Sequence, residues 1–347
     1  MNKIKLNFKE KNLKLNIAQI IIALSIFIVI FVSLFLIAFY YDWDISMIMA
    51  KPLLKDGKYF SMSIIGGIVE VLGVLIAPFM LSFCLTICFV NSNRLINKIN
   101  KNWIIFVKIL LFLLSAFCLY SGFYPCFKNI DLIFNDPEAI INFGHQTVII
   151  ICSCLASVLF ALFYIWYLQK KSIDNLYQML RWSIASIVAI ALTMLTILIM
   201  KEFIFRPRFR SIYFNENNWN GNDAYYYFVS LSNINSYIPT LSDDWINAGD
   251  FNKSFPSGHT SGSSSLYCLM GLPFVLKKYN NKKYVLILWI TSVSLVVFVG
   301  FTRVLCGAHY TSDVLIAGTI GFCMYIIFHF VFIQTKWFNF LNKKEFN

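Results

Sequence analysis

Residues 147–168 read TVIIICSCLASVLFALFYIWYL, twenty-two positions without one charge, followed at once by Gln169, Lys170 and Lys171. A helix needs about 20 apolar residues to cross the hydrocarbon core of a bilayer. In lipid the backbone must bond within its own segment, so a run of this kind is predicted to be helical whatever its β-branched content. Working outward, the same reading gives eight spans: 17–41, 63–90, 104–124, 147–168, 183–200, 261–276, 284–302 and 312–334. The predicted fold is therefore all-α, a polytopic membrane helix bundle of about eight spans. The first run is too long for a signal peptide and no small-residue cleavage site follows it. The sixth is short and rich in Gly and Ser, which suits a helix packed against other helices. Pro78 is expected to kink the second span.

Composition agrees. Of 347 residues, 59% are hydrophobic and 13% charged, about half the charged share of soluble domains. That excludes a soluble protein, and a disordered one is excluded by the same apolar excess. The nine cysteines lie mostly inside apolar runs and read as small buried hydrophobes rather than a disulfide framework. Neither Cys84 with Cys88 nor Cys152 with Cys154 has a His or carboxylate beside it, so no metal site is expected.

The net charge of +12 reports topology, not nucleic-acid binding. Basic residues gather before the first span (Lys3 to Lys14), at Arg94, Lys98 and Lys101, at Lys170, Lys171 and Arg181, at Lys277 to Lys283, and at Lys336 to Lys344. These are alternate segments. The positive-inside rule makes them cytoplasmic, with both termini inside a cell membrane. Most acids, among them Asp42, Asp56, Asp131, Asp136, Glu138, Asp223 and Asp250, fall on the outer segments. The long outer connection, 202–258, carries Trp219, Tyr225, Tyr226, Tyr227 and Trp245 and is expected to form an ordered cap at the outer surface. Three regions follow: 1–103 with two extra spans, 104–334 with six, and a cytoplasmic tail at 335–347.

Three polar clusters stand at the outer ends of the last four spans. Lys201, Arg206, Pro207, Arg208 and Arg210 leave the fifth; Ser254 and Pro256-Ser257-Gly258-His259 open the sixth; Arg303, His309 and Asp313 bridge the seventh and eighth. Lying on one membrane face, they can converge. Lys201, Arg206, Arg208 and Arg303 offer forked and point donors for phosphate oxygens. Ser257 and Gly258 precede a helix, where free N–H groups favour an anion. His309 and Asp313 are four apart, one helical turn, so the carboxylate is expected to fix one ring nitrogen as N–H and leave the other as a lone pair aimed at phosphorus. His259 is then the natural acid for the leaving oxygen.

This arrangement resembles the type 2 phosphatidic acid phosphatase family, whose pattern is Lys, six residues, Arg-Pro; Pro-Ser-Gly-His; then Ser-Arg, five residues, His, three residues, Asp. Lys201 and Arg208 have the family spacing, residues 256–259 match fully, and Arg303, His309 and Asp313 match in type and spacing. The resemblance covers about 104–334, six spans forming the phosphatase core. It implies His309 as the nucleophile of a phosphohistidine intermediate, Asp313 orienting it, and His259 protonating the departing group. Lys201, Arg208, Ser257, Gly258 and Arg303 would hold the phosphoryl oxygens, and no metal or other cofactor is implied.

The sequence departs from the pattern where Phe209 stands for Pro and Thr302 for Ser. Arg206-Pro207 supplies an Arg-Pro pair two residues early, so Arg206 stays beside Arg208 as a phosphate-binding candidate, with the spacing from Lys201 favouring Arg208. Glu70 lies in an apolar stretch, where a carboxylate is a functional candidate, but a place near the outer boundary is the preferred account of it. His145 and His329 have no partners nearby and read as structural. The expected activity is hydrolysis of a lipid phosphate monoester or diphosphate, with the phosphorylated lipid and the membrane's own lipids as partners. A phosphotransferase on the same residues, and a non-catalytic transporter of phosphorylated lipids, are the alternatives.

Overall fold

The computed structural model describes residues 4–6, 13–15, 17–53, 63–95, 101–134, 143–204, 206–214, 253–276 and 279–334. Two three-residue strands, Ile4–Leu6 and Leu13–Leu15, pair antiparallel near the N-terminus. The rest is helical, an all-α bundle. The long helices are α1 (Ile17–Met49), α2 (Ile64–Leu95), α3 (Lys101–Phe134), α4 (Phe143–Gln169) and α5 (Ile173–Phe203). After a short α6 (Phe209–Phe214) come α7 (Gly258–Ser263) and α8 (Leu272–Val275), then the long α9 (Lys282–Leu305) and α10 (Thr311–His329). Among the described residues, seven helices are long and apolar enough to cross a membrane.

The sixth predicted span is the exception. Residues 258–275 form α7, a 3₁₀ stretch Ser264–Gly271, and α8. The cause is local. Ser261, Ser263 and Ser264 each turn a hydroxyl back onto the carbonyl three residues earlier, at 2.8, 2.9 and 2.6 Å, which competes with the ordinary helix ladder and tightens the turn. The 3₁₀ rise lengthens the segment, and it runs alongside α5 from Lys201 to Trp182. Gly258 lies beside Lys201 at one end, and the Cys268 carbonyl accepts from Trp182 Nε1 (2.6 Å) toward the other. It is buried along most of its course, a span wrapped by protein instead of lipid. Gly321 on α10 allows this, since a Cβ there would collide with the Ser264 hydroxyl.

The core gathers Ile87 of α2, Trp182 of α5, Met270, Val296 of α9 and Tyr325 of α10. Helices α3 and α4 lie outside it and pack on α2, where Phe79 meets Phe123 and Phe160 edge-on, and they expose residues such as Phe117 and Leu159 on their outer faces. Lipid accepts such faces without cost. Residues 1–103, set apart in the sequence reading, are thus joined to the rest through α2. Of the expected cap at 202–258, residues 205 and 215–252 lie outside the described residues, as does the 335–347 tail.

Candidate active site

The site occupies one end of the bundle, where α5 and α9 finish and α7 and α10 begin. Main-chain bonds stitch the three clusters together. Arg206 bridges to Lys253, with Ser254 N donating to the Arg206 carbonyl (2.9 Å). Ser257 N donates to the Asp313 carbonyl (3.3 Å), and Arg210 N to that of Gly307 (2.9 Å).

Helix α9 ends in a Schellman turn that delivers His309. Gly307 takes φ +59, the left-handed conformation glycine adopts without a Cβ penalty. Its N–H donates to the Val304 carbonyl and that of Ala308 to Arg303 (2.9 and 3.2 Å). Arg303 is therefore still helical while His309, whose N–H also reaches the Arg303 carbonyl, has turned back beside it.

The orientation of His309 differs from the expectation. Helix α10 begins at Thr311, so His309 lies outside it and shares no helical turn with Asp313. The ring Nδ1 stands 2.5 Å from the Ser254 carbonyl oxygen and 3.8 Å from Asp313 Oδ2. A carbonyl only accepts, so Nδ1 carries the proton and Nε2 keeps a lone pair. The expected tautomer results, but its holder is a backbone carbonyl. Asp313 instead accepts from Tyr310 N (2.8 Å), from the Ser254 hydroxyl (2.5 Å) and from Arg206 Nη1 (2.5 Å). The bond to Tyr310 N is the return half of a capping box at the start of α10. Asp313 acts on His309 through Ser254.

Arg206 is fully buried and turned away from the role in which it competed with Arg208. Nη1 donates to Asp313 and to the Ser312 hydroxyl (2.8 Å), Nη2 donates to Asp42 Oδ2 (2.9 Å), and the guanidinium lies over the Tyr310 ring at 4.0 Å. Burial opposes its charge, but Asp313 and then Asp42 more than offset this, and its pKa is raised. Asp42, placed among the outer-segment acids by the charge pattern, is buried at the end of α1 and also accepts from Ser312 N (3.0 Å) and the Ser312 hydroxyl. Phe209, the departure from Pro, is fully buried between Trp43 of α1 (ring centroids 4.9 Å apart) and Tyr310. This apolar contact docks α1 where Asp42 can reach Arg206.

The remaining candidates line the pocket. Lys201 Nζ donates to the Lys253 carbonyl (2.9 Å) and lies near Gly258, where a Cβ would stand 4.0 Å from the amine. Ser257 caps α7, its Oγ accepting from Thr260 N and from the Thr260 hydroxyl (3.4 and 3.0 Å), which leaves its own proton to donate. Arg303 is buried, and its Nε and Nη1 have no hydrogen-bond partner among the described residues. Unmet buried donors are costly, and on a guanidinium they suit an anion. Glu70 of α2 approaches Arg303 Nη1 (3.3 Å) and His259 Nε2 (3.7 Å), so it belongs to the pocket. Burial, followed by Arg208, Lys201 and Arg303, holds the His309 pKa well below the ordinary histidine range. This favours the neutral imidazole over the imidazolium. Among the described residues, no three His, Cys, Asp or Glu side chains gather as a metal site.

Sequence reasoning missed Asp42 as a member of the site, gave Ser254 no role within its cluster, and undervalued Glu70. Only Glu70 carried a signal, a carboxylate in an apolar run.

A polytopic helix bundle with two histidines amid phosphate-suited cations defines a membrane protein of phosphatase type. The model described as the PAP2 superfamily matches residues 182–337, a stretch that contains every site residue from Lys201 to Asp313. Asp42 and Glu70 come from outside the matched segment. Among curated proteins and among solved structures, none matches the chain.

Proposed function

We propose that the protein is a membrane lipid phosphatase that hydrolyses a lipid phosphate monoester or diphosphate at the outer membrane face through a phosphohistidine. The observation that carries this reading is the bond from His309 Nδ1 to the Ser254 carbonyl, which leaves Nε2 as a nucleophile among Lys201, Arg208 and Arg303. Nε2 attacks phosphorus in line, the N–P bond forms as the P–O bond breaks, and His259 gives its proton to the departing oxygen. Water then attacks phosphorus, His259 takes the water's proton, and the N–P bond breaks to release phosphate. The cations and Ser257 hold the equatorial oxygens as charge spreads over them.

The outer-face assignment is supported by charge. The site lies at the end of α5 opposite Lys170 and Lys171, and basic ends are cytoplasmic by the positive-inside rule. A pocket at headgroup depth favours substrates whose tails remain in lipid. The test is phosphate release by purified protein from phosphatidate, phosphatidylglycerol phosphate and polyprenyl diphosphate. Turnover of at least one, abolished in His309→Asn, is the expected result. Transfer of the phosphoryl group to another lipid or a sugar would make the protein a phosphotransferase, and binding without turnover would make it a transporter.

A further inference from the structure

Glu70 sits on α2, outside the segment that carries the phosphatase pattern, yet its carboxylate enters the pocket. Two glycines make this possible. A Cβ at Gly73 would stand 3.0 Å from His259 Cδ2, and one at Gly262 would stand 3.0 Å from the Gly73 carbonyl, so a larger residue at either would push α2 and α7 apart. Glu70, nearly one turn before Gly73, is about one quarter exposed and lies 3.7 Å from His259 Nε2.

His259 has a problem that Glu70 can solve. It must reach the leaving oxygen carrying a proton, but its surroundings oppose that. Arg303, Arg208, Lys201 and Arg210 surround it with positive charge, which opposes a further proton on the ring, and His309 lies in the same pocket. Asp313 and Asp42 are both turned to Arg206. Among the described residues, Glu70 is the acid that faces Nε2.

Resting on the phosphatase reading above, we propose that Glu70 is a positioning residue for His259, a carboxylate supplied by the second helix that keeps the imidazolium in place until the leaving oxygen takes its proton. Glu70 itself gains and loses nothing. As the P–O bond breaks, its electron pair stays on the leaving oxygen, which is protonated from Nε2, and His259 becomes neutral. As water later attacks the phosphohistidine, His259 regains a proton and Glu70 again balances the imidazolium.

The test compares full-length Glu70→Gln with wild type on two phosphate esters, phosphatidate and p-nitrophenyl phosphate. An alkoxide needs a proton to leave and a nitrophenolate does not. The expected result, read as the single-turnover rate of leaving-group release that precedes attack by water, is a fall of about 100-fold on phosphatidate, the lower range for a lost general acid, with nitrophenolate release changed less than about threefold. The basic limb of the phosphatidate pH profile moves to lower pH, because without the carboxylate His259 loses its proton sooner. In a His259→Ala background, Glu70→Gln adds no further loss. Glu70→Asp, which keeps the charge, gives an intermediate loss with the same leaving-group dependence and serves alone if Glu70→Gln does not fold. Equal losses on both esters, additive losses in the double variant, or faster turnover because the carboxylate had occupied the phosphate place at Arg303, each overturns the proposal. Absence of phosphate release by wild type from every ester instead overturns the phosphatase reading itself.

Discussion

Replacing Asp42 by Asn keeps the volume of a buried side chain and removes its charge. Asp42 accepts hydrogen bonds from Arg206 Nη2, Ser312 N and the Ser312 hydroxyl. The amide in its place retains one acceptor oxygen, and its NH₂ group, if it faces Arg206, sets donor against donor. Breaking a buried ion pair costs about 3–5 kcal/mol, and Arg206 keeps Asp313, so the lower end applies, about 3 kcal/mol of stability. Arg206 then holds Asp313 less firmly. Asp313 holds the Ser254 hydroxyl, and the Ser254 carbonyl holds the His309 ring. If between half and all of that 3 kcal/mol reaches the transition state, kcat falls about 10- to 100-fold at about 1.4 kcal/mol per decade. KM changes little, because Lys201, Arg208 and Arg303 are untouched. Phosphate release and thermal unfolding in the same detergent measure both effects. A variant with wild-type kcat and unchanged unfolding temperature would refute the relay from α1 to His309.

Further outcomes follow from the same geometry. Because burial and the cations lower the His309 pKa, its nucleophilic form persists below pH 6.5, and the acidic limb of kcat/KM lies below that value. Arg208→Gln removes the strongest of those cations and moves the limb upward while raising KM, as a pH–rate series will report. Ser254→Ala keeps the carbonyl that fixes His309 but removes the hydroxyl bound to Asp313. It costs about tenfold in kcat in the same phosphate-release assay, the worth of one hydrogen bond to a charged group. Gly307→Ala forces a Cβ into a left-handed turn, 3.2 Å from Arg210 Cβ, and lowers stability by about 1–2 kcal/mol, read by thermal unfolding.

The lipid solvent was legible in the sequence because it imposes long uncharged runs, and such runs locate spans without knowledge of packing. The sixth span was legible as buried, from its glycines and serines, but its 3₁₀ winding depends on which carbonyls the hydroxyls of Ser261, Ser263 and Ser264 choose. The pattern from Lys201 to Asp313 marks the residues of the site by type and spacing. It does not tell which partner a polar atom takes. The i, i+4 interval pairs Asp313 with His309 only if α10 starts early; with Thr311 as its first residue, Asp313 serves the helix cap and Ser254. The spacing from Lys201 favours Arg208 over Arg206, but what engages Arg206 elsewhere is Asp42, a residue more than 160 positions away with no sequence mark. Helix α1 docks through Trp43 and Phe209, so the apparent flaw in the pattern at Phe209 is the contact that brings Asp42 in.

The most direct test is to capture the intermediate. Protein quenched during turnover of phosphatidate labelled at phosphorus, then digested under alkaline conditions that preserve phosphohistidine, should carry one acid-labile phosphoryl group on His309 and none on His259. No label on any histidine during active turnover, or label on His259, would contradict the assignment of His309 as nucleophile.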